Sequence, residues 1–192
     1  MHNESQQYFN KVTETLKKFN HATLEKAVMM ILNTREKNGT IVFFGNGGSA
    51  ANASHFCGDM VKGLSFLGQK RFKAICLNDN IPAMMAIAND INYQEVFREQ
   101  LINFVTPNDL IIGISGSGNS ENVIKAMEYA KSAGASTIAM CGFNGGKIKQ
   151  IADLSLHADI KDMEISEDIH LILFHCIKQM IINRLNGSKT HD

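Results

Sequence analysis

The sequence has no net charge, and it lacks the marks of a membrane or exported protein. Its 19 Lys and Arg residues balance its 19 Asp and Glu residues, so no overall attraction to nucleic acid or to an anionic membrane is expected. No apolar stretch reaches the ~18–20 residues that a membrane-spanning helix needs. The polar N-terminus, MHNESQQYFNKV, has no signal-peptide core. We therefore expect a cytoplasmic protein with neither a nucleic-acid nor a membrane partner.

Cysteine and proline are also scarce. The four cysteines form no CxxC pair and lie far apart in apolar neighbourhoods, at Cys57, Cys76, Cys141 and Cys176. This pattern is typical of reduced, buried thiols and excludes a disulfide framework or a cysteine zinc site. With 192 residues, 44% of them hydrophobic and only two prolines, the chain has the composition of a globular protein.

Hydrophobic patterning predicts one domain over residues 1–192, with N-terminal packing helices over 1–38, an α/β core over 39–185 and a disordered tail over 186–192. Short apolar runs predict five strands, at 40–44, 72–77, 109–114, 136–141 and 153–156. Helical patterns separate them, notably at 49–64, 120–133 and 164–185. Continuous apolar strands alternating with helices predict a parallel sheet covered on both faces.

Two glycine-rich turns each follow a predicted strand and open a predicted helix: GNGGSAANASHF after Phe44 and SGSGNSENVIKA after Ile114. Ligands of open α/β sheets bind beyond the carboxyl ends of the strands, where helix N-termini attract anions. The hydroxyls of Ser115, Ser117 and Ser120 add donors, which favours a bound phosphate. The alternative is that Ser120 or its neighbour only caps the helix. Neither turn matches GxxxxGK[ST] or GxGxxG, so nucleotide binding is not indicated.

Histidines and carboxylates supply candidate acid, base and metal groups. His55 and Asp59 stand four residues apart, which places both on one helix face. A long C-terminal helix carries further candidates, among them Glu167, Asp168 and His175. Such groups transfer protons near neutral pH or bind zinc. Taken singly, each histidine is equally consistent with a buried or solvated side chain of no catalytic role.

Together, GNGGSAANASHF, Ala88-Asn89-Asp90, GISGSGNSENVIKA and EDIHLILFH resemble the SIS (sugar isomerase) domain family, and within it the phosphoheptose isomerases. The resemblance covers nearly the whole chain. It implies a three-layer αβα sandwich with a five-stranded parallel sheet, flavodoxin-like, preceded by N-terminal helices. It also implies a homotetramer with its active sites at subunit interfaces.

The resemblance implies three sets of site residues. The sugar is expected to contact Asn46, Gly47, Gly48, Asn89 and Asp90, the last two from the loop after the second strand. The phosphate is expected on Ser115, Gly116, Ser117 and Ser120. One zinc ion per subunit is expected on His55, Asp59, Glu167 and His175, and the catalytic roles are expected on Asp59, Glu167 and His175.

This sequence departs from the family pattern at four positions. Asp59 stands where the family has a glutamate, and Glu167 stands where it has a glutamine ligand. Gly116 replaces the middle residue of the usual serine-threonine-serine cradle. The arginine expected after the first core helix is absent, and Lys62 is the nearest cation in the sequence. Aspartate and glutamate both bind zinc, so the implied metal site is retained.

The resemblance thus implies an isomerase that converts sedoheptulose 7-phosphate to D-glycero-D-manno-heptose 7-phosphate through an enediol, for a lipopolysaccharide, capsule or other glycan. Two alternatives stay open. One is an isomerase of another ketose phosphate. The other is a non-catalytic protein-interaction platform like the DnaA-binding initiator-associating proteins, whose usual mark is loss of the acidic and histidine positions.

Overall fold

The structure, a computed structural model, describes residues 2–66 and 70–187. The strands are β1 (Thr40–Gly45), β2 (Lys73–Cys76), β3 (Leu110–Ser115), β4 (Ser136–Cys141) and β5 (Leu154–His157). They form one parallel five-stranded sheet in the order β2-β1-β3-β4-β5. The predicted strands are confirmed with ends shifted by a residue or less. The strand order reverses between β1 and β3, and a crevice for ligands opens at such a point.

The helices lie on both faces of the sheet, as predicted. They are α1 (His2–Lys18), α2 (Ala22–Glu36), α3 (Gly48–Gly58), α4 (Ile81–Asp90), α5 (Arg98–Ile102), α6 (Glu121–Ser132), α7 (Gly146–Ile151) and α8 (Met163–Gly187). A π-helical turn, Asp59–Leu64, extends α3, and a 3-10 turn spans Tyr93–Glu95. The predicted helices at 49–64, 120–133 and 164–185 are confirmed as α3 with its π-helical extension, α6 and α8.

The alternating direction of the side chains along β1 explains why helices cover both faces of the sheet. Ile41 and Phe43 belong to the core on the side of α2, α3 and α8, whereas Val42 and Phe44 belong to the core on the side of α5, α6 and α7. Successive side chains of a strand point to opposite faces, so an unbroken apolar run requires helices on each side. These four side chains are at most 1% exposed.

The N-terminal helices pack against the C-terminal helix. On α2, Leu24, Val28 and Ile31 are buried in the core that α8 shares. On α1, the Tyr8 hydroxyl donates a 2.6 Å hydrogen bond to the Asp168 carboxylate. This bond and the negative charge of Asp168 contribute to raising the pKa of Tyr8 to about 12. The two helices thus reach the part of α8 that carries candidate site residues.

At the other end of the chain, Asn186 and Gly187 complete α8, so these two residues of the predicted tail are helical. Residues 188–192 lie outside the described residues. None of the helices within the described ranges is long and apolar enough to cross a membrane.

Three cysteines are buried free thiols, as expected: Cys57, Cys76 and Cys141. Burial raises their pKa values to about 11, 12 and 11 respectively. Thiols with such pKa values are inert at neutral pH, because the thiolate is the reactive form. Cys176 departs from this description, because it lies exposed on α8.

Candidate active site

The crevice between the carboxyl ends of β1 and β3 holds a cavity of about 270 Å³. Gly45 pairs with Ile114 in the sheet, so the loops that follow the two strands start side by side. The lining consists of both glycine-rich loops and the start of α8: Asn46, Gly47, Gly48, Ser49, Ser115, Gly116, Ser117, Ser120, Met163 and Glu167. The two loops that the sequence singled out therefore form one site.

The serines of the second loop face one another. Ser120 occupies the N-cap position of α6, but its side chain makes no capping hydrogen bond. Its Oγ instead lies 3.0 Å from the Oγ of Ser115, which is buried. The capping explanation is therefore wrong for the Ser120 hydroxyl. Both hydroxyls line the cavity at the N-terminal end of α6, where the helix dipole favours an anion.

The same loop rests directly on the backbone of the β4–α7 loop. Gly118 has a φ of 69°, and a Cβ there would overlap the carbonyl of Gly145. The Ile148 N–H donates to the Gly118 carbonyl over 3.1 Å, and the Gly142 N–H donates to the Gly116 carbonyl over 2.8 Å. Glycine is required at 118 both for its positive φ and for this close approach.

The side chain of Glu167, a residue of α8, reaches the start of α3. Its carboxylate accepts a hydrogen bond from the Ser49 N–H, and a Cβ at Gly48 would overlap it. Burial raises the pKa of Glu167, with smaller contributions from Glu164 and Asp168, while the Ser49 N–H opposes the shift. The N-terminal end of a helix attracts a carboxylate, which accounts for this position.

Met163 fills the space left by Gly116. A Cβ at Gly116 would overlap the Met163 Sδ atom, and Met163 lines the cavity. A threonine at 116, as in the family pattern, would displace the end of the Met163 side chain. Sequence reasoning missed Met163, since a methionine next to a predicted helix start carries no chemical signal.

A reciprocal pair of amides connects the two loops. Asn46 Nδ2 donates to Asn122 Oδ1 and Asn122 Nδ2 donates to Asn46 Oδ1, both over 2.9 Å. The Tyr93 hydroxyl also donates to Asn46 Oδ1 over 2.9 Å. The oxygen of Asn46 is therefore engaged within the protein, and the role of Asn122 and Tyr93 is to hold it. Sequence reasoning missed both residues.

A second group of side chains lies beyond the cavity, closer to the C-terminal ends of α3 and α8. The Nε2 atoms of His55 and His175 lie 2.9 Å apart, and Asp59 Oδ2 lies 3.7 Å and 3.8 Å from them. These three atoms are the one set in the described part of the chain that is grouped closely enough to hold a metal ion. Asp59 Oδ2 is buried and accepts no hydrogen bond from the described residues. We call these three residues the His-Asp-His cluster.

The cation beside this cluster is Lys178. Its Nζ donates to Asp59 Oδ1 over 2.5 Å. Lys62, the nearest cation along the sequence, is exposed on the π-helical turn instead. Lys178 was missed because it comes from α8, and its reach to Asp59 depends on how α3 and α8 pack. Its spacing of three residues from His175, which places both on one helix face, is the signal that was available.

Glu167, a candidate fourth metal ligand, does not join the cluster. It stands eight residues before His175 on α8, a rise of about 12 Å along the helix. The grouping of ligand atoms in the described residues contains His55, Asp59 and His175 without it. Glu167 instead lines the serine-lined cavity.

Asn89 and Asp90 do not lie in a loop, so that expectation is wrong. They are the last residues of α4, both exposed, and Asn89 Nδ2 donates to Asp90 Oδ1. Neither lines the 270 Å³ cavity. The missed helix had a local signal, because the Asn80 side chain caps it and Pro82 stands in its first turn.

Comparison with known proteins agrees with this arrangement. The family model described as "SIS domain" matches residues 7–142. The chain is 40% identical to the phosphoheptose isomerase of Helicobacter pylori over 154 residues, 80% of each chain. It is 36% identical to that of Aliarcobacter butzleri over 181 residues, 94% of this chain and 93% of that one.

A solved structure leads to the same family. The phosphoheptose isomerase GmhA of Neisseria gonorrhoeae superimposes with a TM-score of 0.86 at 28% identity, covering 94% of this chain and 97% of that chain. A glycine- and serine-lined crevice at the β1–β3 switch point, with a His-Asp-His cluster beside it, thus occurs in a chain related to these enzymes over most of its length. The chain belongs to the SIS domain family, among the phosphoheptose isomerases.

Proposed function

We propose that the protein is an aldose–ketose isomerase that interconverts sedoheptulose 7-phosphate and D-glycero-D-manno-heptose 7-phosphate. Its relatives are named phosphoheptose isomerases. The observation that carries the proposal is the presence of two complementary sites along α3 and α8. One is a cavity lined by serines, and the other is a cluster of acid-base groups. A phosphorylated sugar that exchanges protons between two carbons needs both.

In this proposal the phosphate binds at the start of α6. The hydroxyls of Ser115, Ser117 and Ser120 donate to its oxygens, as do amides from Gly116 onward. Glu167 lines the same cavity, and burial raises its pKa.

The sugar then extends from the cavity toward the His-Asp-His cluster. Asn46, Gly47 and Gly48 stand beside the bound phosphate at the start of α3. His55 follows Gly48 by seven residues, about 10 Å along the helix. In a seven-carbon 7-phosphate, the reacting carbons C1 and C2 are at the opposite end from the phosphate. The cluster lies at that opposite end of the site. We place Asn89 and Asp90 outside the sugar contacts made within one subunit.

The proposed chemistry uses Asp59 and His175. Asp59 takes a proton from C1 of the open-chain ketose, and the C1–H electron pair forms the enediol double bond as the C2 carbonyl oxygen gains a proton. His175 assists ring opening and moves the proton between the two oxygens. Return of a proton to C2 completes the aldose. Glu167 is the alternative base, but it stands at the phosphate end of the site.

The cluster fits a zinc ion. Two imidazole nitrogens and a carboxylate oxygen are preferred zinc donors, and the buried Asp59 Oδ2 lacks a hydrogen-bond partner among the described residues. We propose that His55, Asp59 and His175 hold one zinc per subunit. When bound, the ion would polarise the sugar carbonyl as a Lewis acid.

We also propose a cytosolic homotetramer. Support comes from the apolar surface around α4, where Ile81 and Met85 are 60% and 68% exposed and no residue of the helix is buried. Ile91 and Tyr93 continue this surface, at 55% and 52% exposed, and Tyr93 bonds to Asn46 of the site. Contiguous exposed apolar residues are typical of subunit contacts. Light scattering after gel filtration measures the assembly directly.

The test of the reaction is proton NMR of the protein with sedoheptulose 7-phosphate in D₂O, with and without added zinc. Aldose product with deuterium at C2 is expected. The proton removed from C1 exchanges with solvent while the sugar is an enediol, and a deuteron is then delivered to C2. Absence of product from folded, zinc-supplemented protein would contradict the substrate assignment. A panel of other ketose phosphates then separates a different sugar substrate from a non-catalytic role.

A further inference from the structure

Lys178 is placed to act on the His-Asp-His cluster without belonging to it. Its Nζ lies 2.5 Å from Asp59 Oδ1, whereas the two imidazole Nε2 atoms lie 3.7 Å and 3.8 Å from Oδ2. The side chains of Lys178 and Asp59 are only 23% and 16% exposed. Gly63 makes room for the lysine, because a Cβ at that position would lie 3.0 Å from Lys178 Cε. The ion pair is therefore built into the packing of α8 against the π-helical turn.

Asp59 needs a positive partner when no metal is bound. A carboxylate that is withdrawn from water is unfavourable unless it is paired. Among the described residues, Lys178 is the one lysine or arginine within ion-pair distance of Asp59, and the other close groups are the two imidazoles. Without a metal ion, Lys178 thus supplies the charge that a cation would otherwise supply.

We propose that Lys178 is the built-in counter-ion of Asp59 and competes with a divalent metal ion for that carboxylate. The inference rests on the zinc site of the proposed function. A divalent ion bound between Asp59 and the two imidazoles would stand next to the lysine ammonium, and like charges repel strongly where water is partly excluded. Lys178 accordingly stabilises the metal-free protein and lowers its affinity for zinc.

Two substitutions of Lys178 separate charge from hydrogen bonding, and two further variants serve as controls. Lys178→Gln removes the charge and keeps a donor for Asp59 Oδ1, whereas Lys178→Arg keeps the charge. Lys125→Gln is the matched control, because Lys125 forms a 2.6 Å ion pair with the partly buried Glu95. His55→Ala removes a ligand and serves as the control for binding at the cluster.

The measurement is titration of each metal-stripped full-length protein with Zn²⁺ against a chromophoric chelator, together with thermal unfolding with and without Zn²⁺. We expect Lys178→Gln to bind zinc roughly tenfold or more tightly than the parent protein. Its metal-free form should melt lower, so that zinc raises its melting temperature by more. Lys178→Arg and Lys125→Gln should bind zinc as the parent does, and His55→Ala should lose the binding.

Equal or weaker zinc binding by Lys178→Gln would overturn the inference, as would absence of zinc binding by the parent protein. Neither result decides the isomerase reaction, which is followed separately by the NMR assay. An active parent protein with unaltered zinc binding in Lys178→Gln would retain the proposed function and remove the role of Lys178.

Discussion

The Nε2 atoms of His55 and His175 face each other at 2.9 Å, although the residues are 120 positions apart in the chain. The neighbouring residues explain this proximity. The Phe56 ring stacks on the Phe174 ring with centroids 3.7 Å apart, and Phe174 also packs edge-on against Phe43 of β1. All three rings are at most 1% exposed. A rigid aromatic core thus holds α3 and α8 so that the two histidines, each adjacent in sequence to a stacked ring, meet at its edge.

Replacing His175 by alanine should abolish turnover and leave the fold intact. The side chain is 48% exposed, so its removal leaves no buried cavity. Loss of a positioned acid-base group reduces turnover by roughly 10²- to 10⁴-fold. The measurement is the isomerase rate alongside urea unfolding. His21→Ala, in the turn before α2, is the control, and near-normal activity in the His175 variant would remove His175 from the mechanism.

Removing the Ser120 hydroxyl should weaken substrate binding. A hydrogen bond to a charged group contributes about 1.5–3 kcal/mol, which corresponds to a rise in KM of roughly ten- to a hundredfold for Ser120→Ala. Inhibition by inorganic phosphate should weaken in parallel. Ser132→Ala, at the exposed far end of the same helix, is the matched control. An unchanged KM and an unchanged phosphate inhibition constant would place the phosphate elsewhere.

Restoring threonine at position 116 should destabilise this protein. The new side chain would overlap Met163 Sδ. Because Met163 is 39% exposed and its flexible end can shift, the loss should stay below the ~1–3 kcal/mol that overpacking costs in a closed core. The double variant Gly116→Thr/Met163→Ala should recover most of that loss in urea unfolding. Gly58→Thr is the control, since no described residue apart from its chain neighbours and the nearby backbone of its own helix lies within 4 Å of that Cβ position. Equal stability of the single variant and the parent would show that Met163 moves aside freely.

Stability should fall in mild acid because of His170. This side chain is 0% exposed, and among the described residues only the Cys141 backbone favours its protonated form. Burial lowers the pKa of His170 from 6.5 to about 4. The unfolded chain therefore binds a proton that the folded chain does not, and stability decreases as pH falls from about 6.5 to about 4. The full loss is about 3 kcal/mol, at 1.36 kcal/mol for each pKa unit.

Urea unfolding between pH 7.5 and pH 4 measures this dependence. His170→Leu and His170→Gln cannot titrate there, so their stability should fall less steeply than that of the parent protein. Parallel curves for the parent and both variants would assign the acid sensitivity to other groups.

The sheet and the serine-lined cavity could be predicted because local patterns determine them. Continuous apolar runs such as 110–114 indicate a doubly covered strand, and glycines with hydroxyls after a strand indicate an anion site at its carboxyl end. Helix α4 was missed since it buries none of its residues, so no apolar stripe identified it. Its cap at Asn80 was the remaining signal.

Contacts between distant elements could not be predicted. Lys178 meets Asp59, and Tyr93 meets Asn46, only because the sheet brings their elements together. The position of Glu167 is a similar case. The resemblance to the family predicts that Glu167 is a metal ligand. The packing of α8 against α3 instead places its carboxylate at the start of α3.

The backbone contact between Gly118 and the β4–α7 loop has a consequence for how a phosphate is received. The amide of Gly118 donates to the Ser115 carbonyl and its own carbonyl accepts from Ile148, so the turn is tied at both ends. An outward movement of this turn would break its backbone bonds to the segment that follows β4. Hydrogen exchange at the Gly118 and Ile148 amides should consequently follow one shared opening event. The phosphate-binding turn is therefore preorganised. The conformational entropy of this segment is lost during folding, so ligand binding does not have to order it.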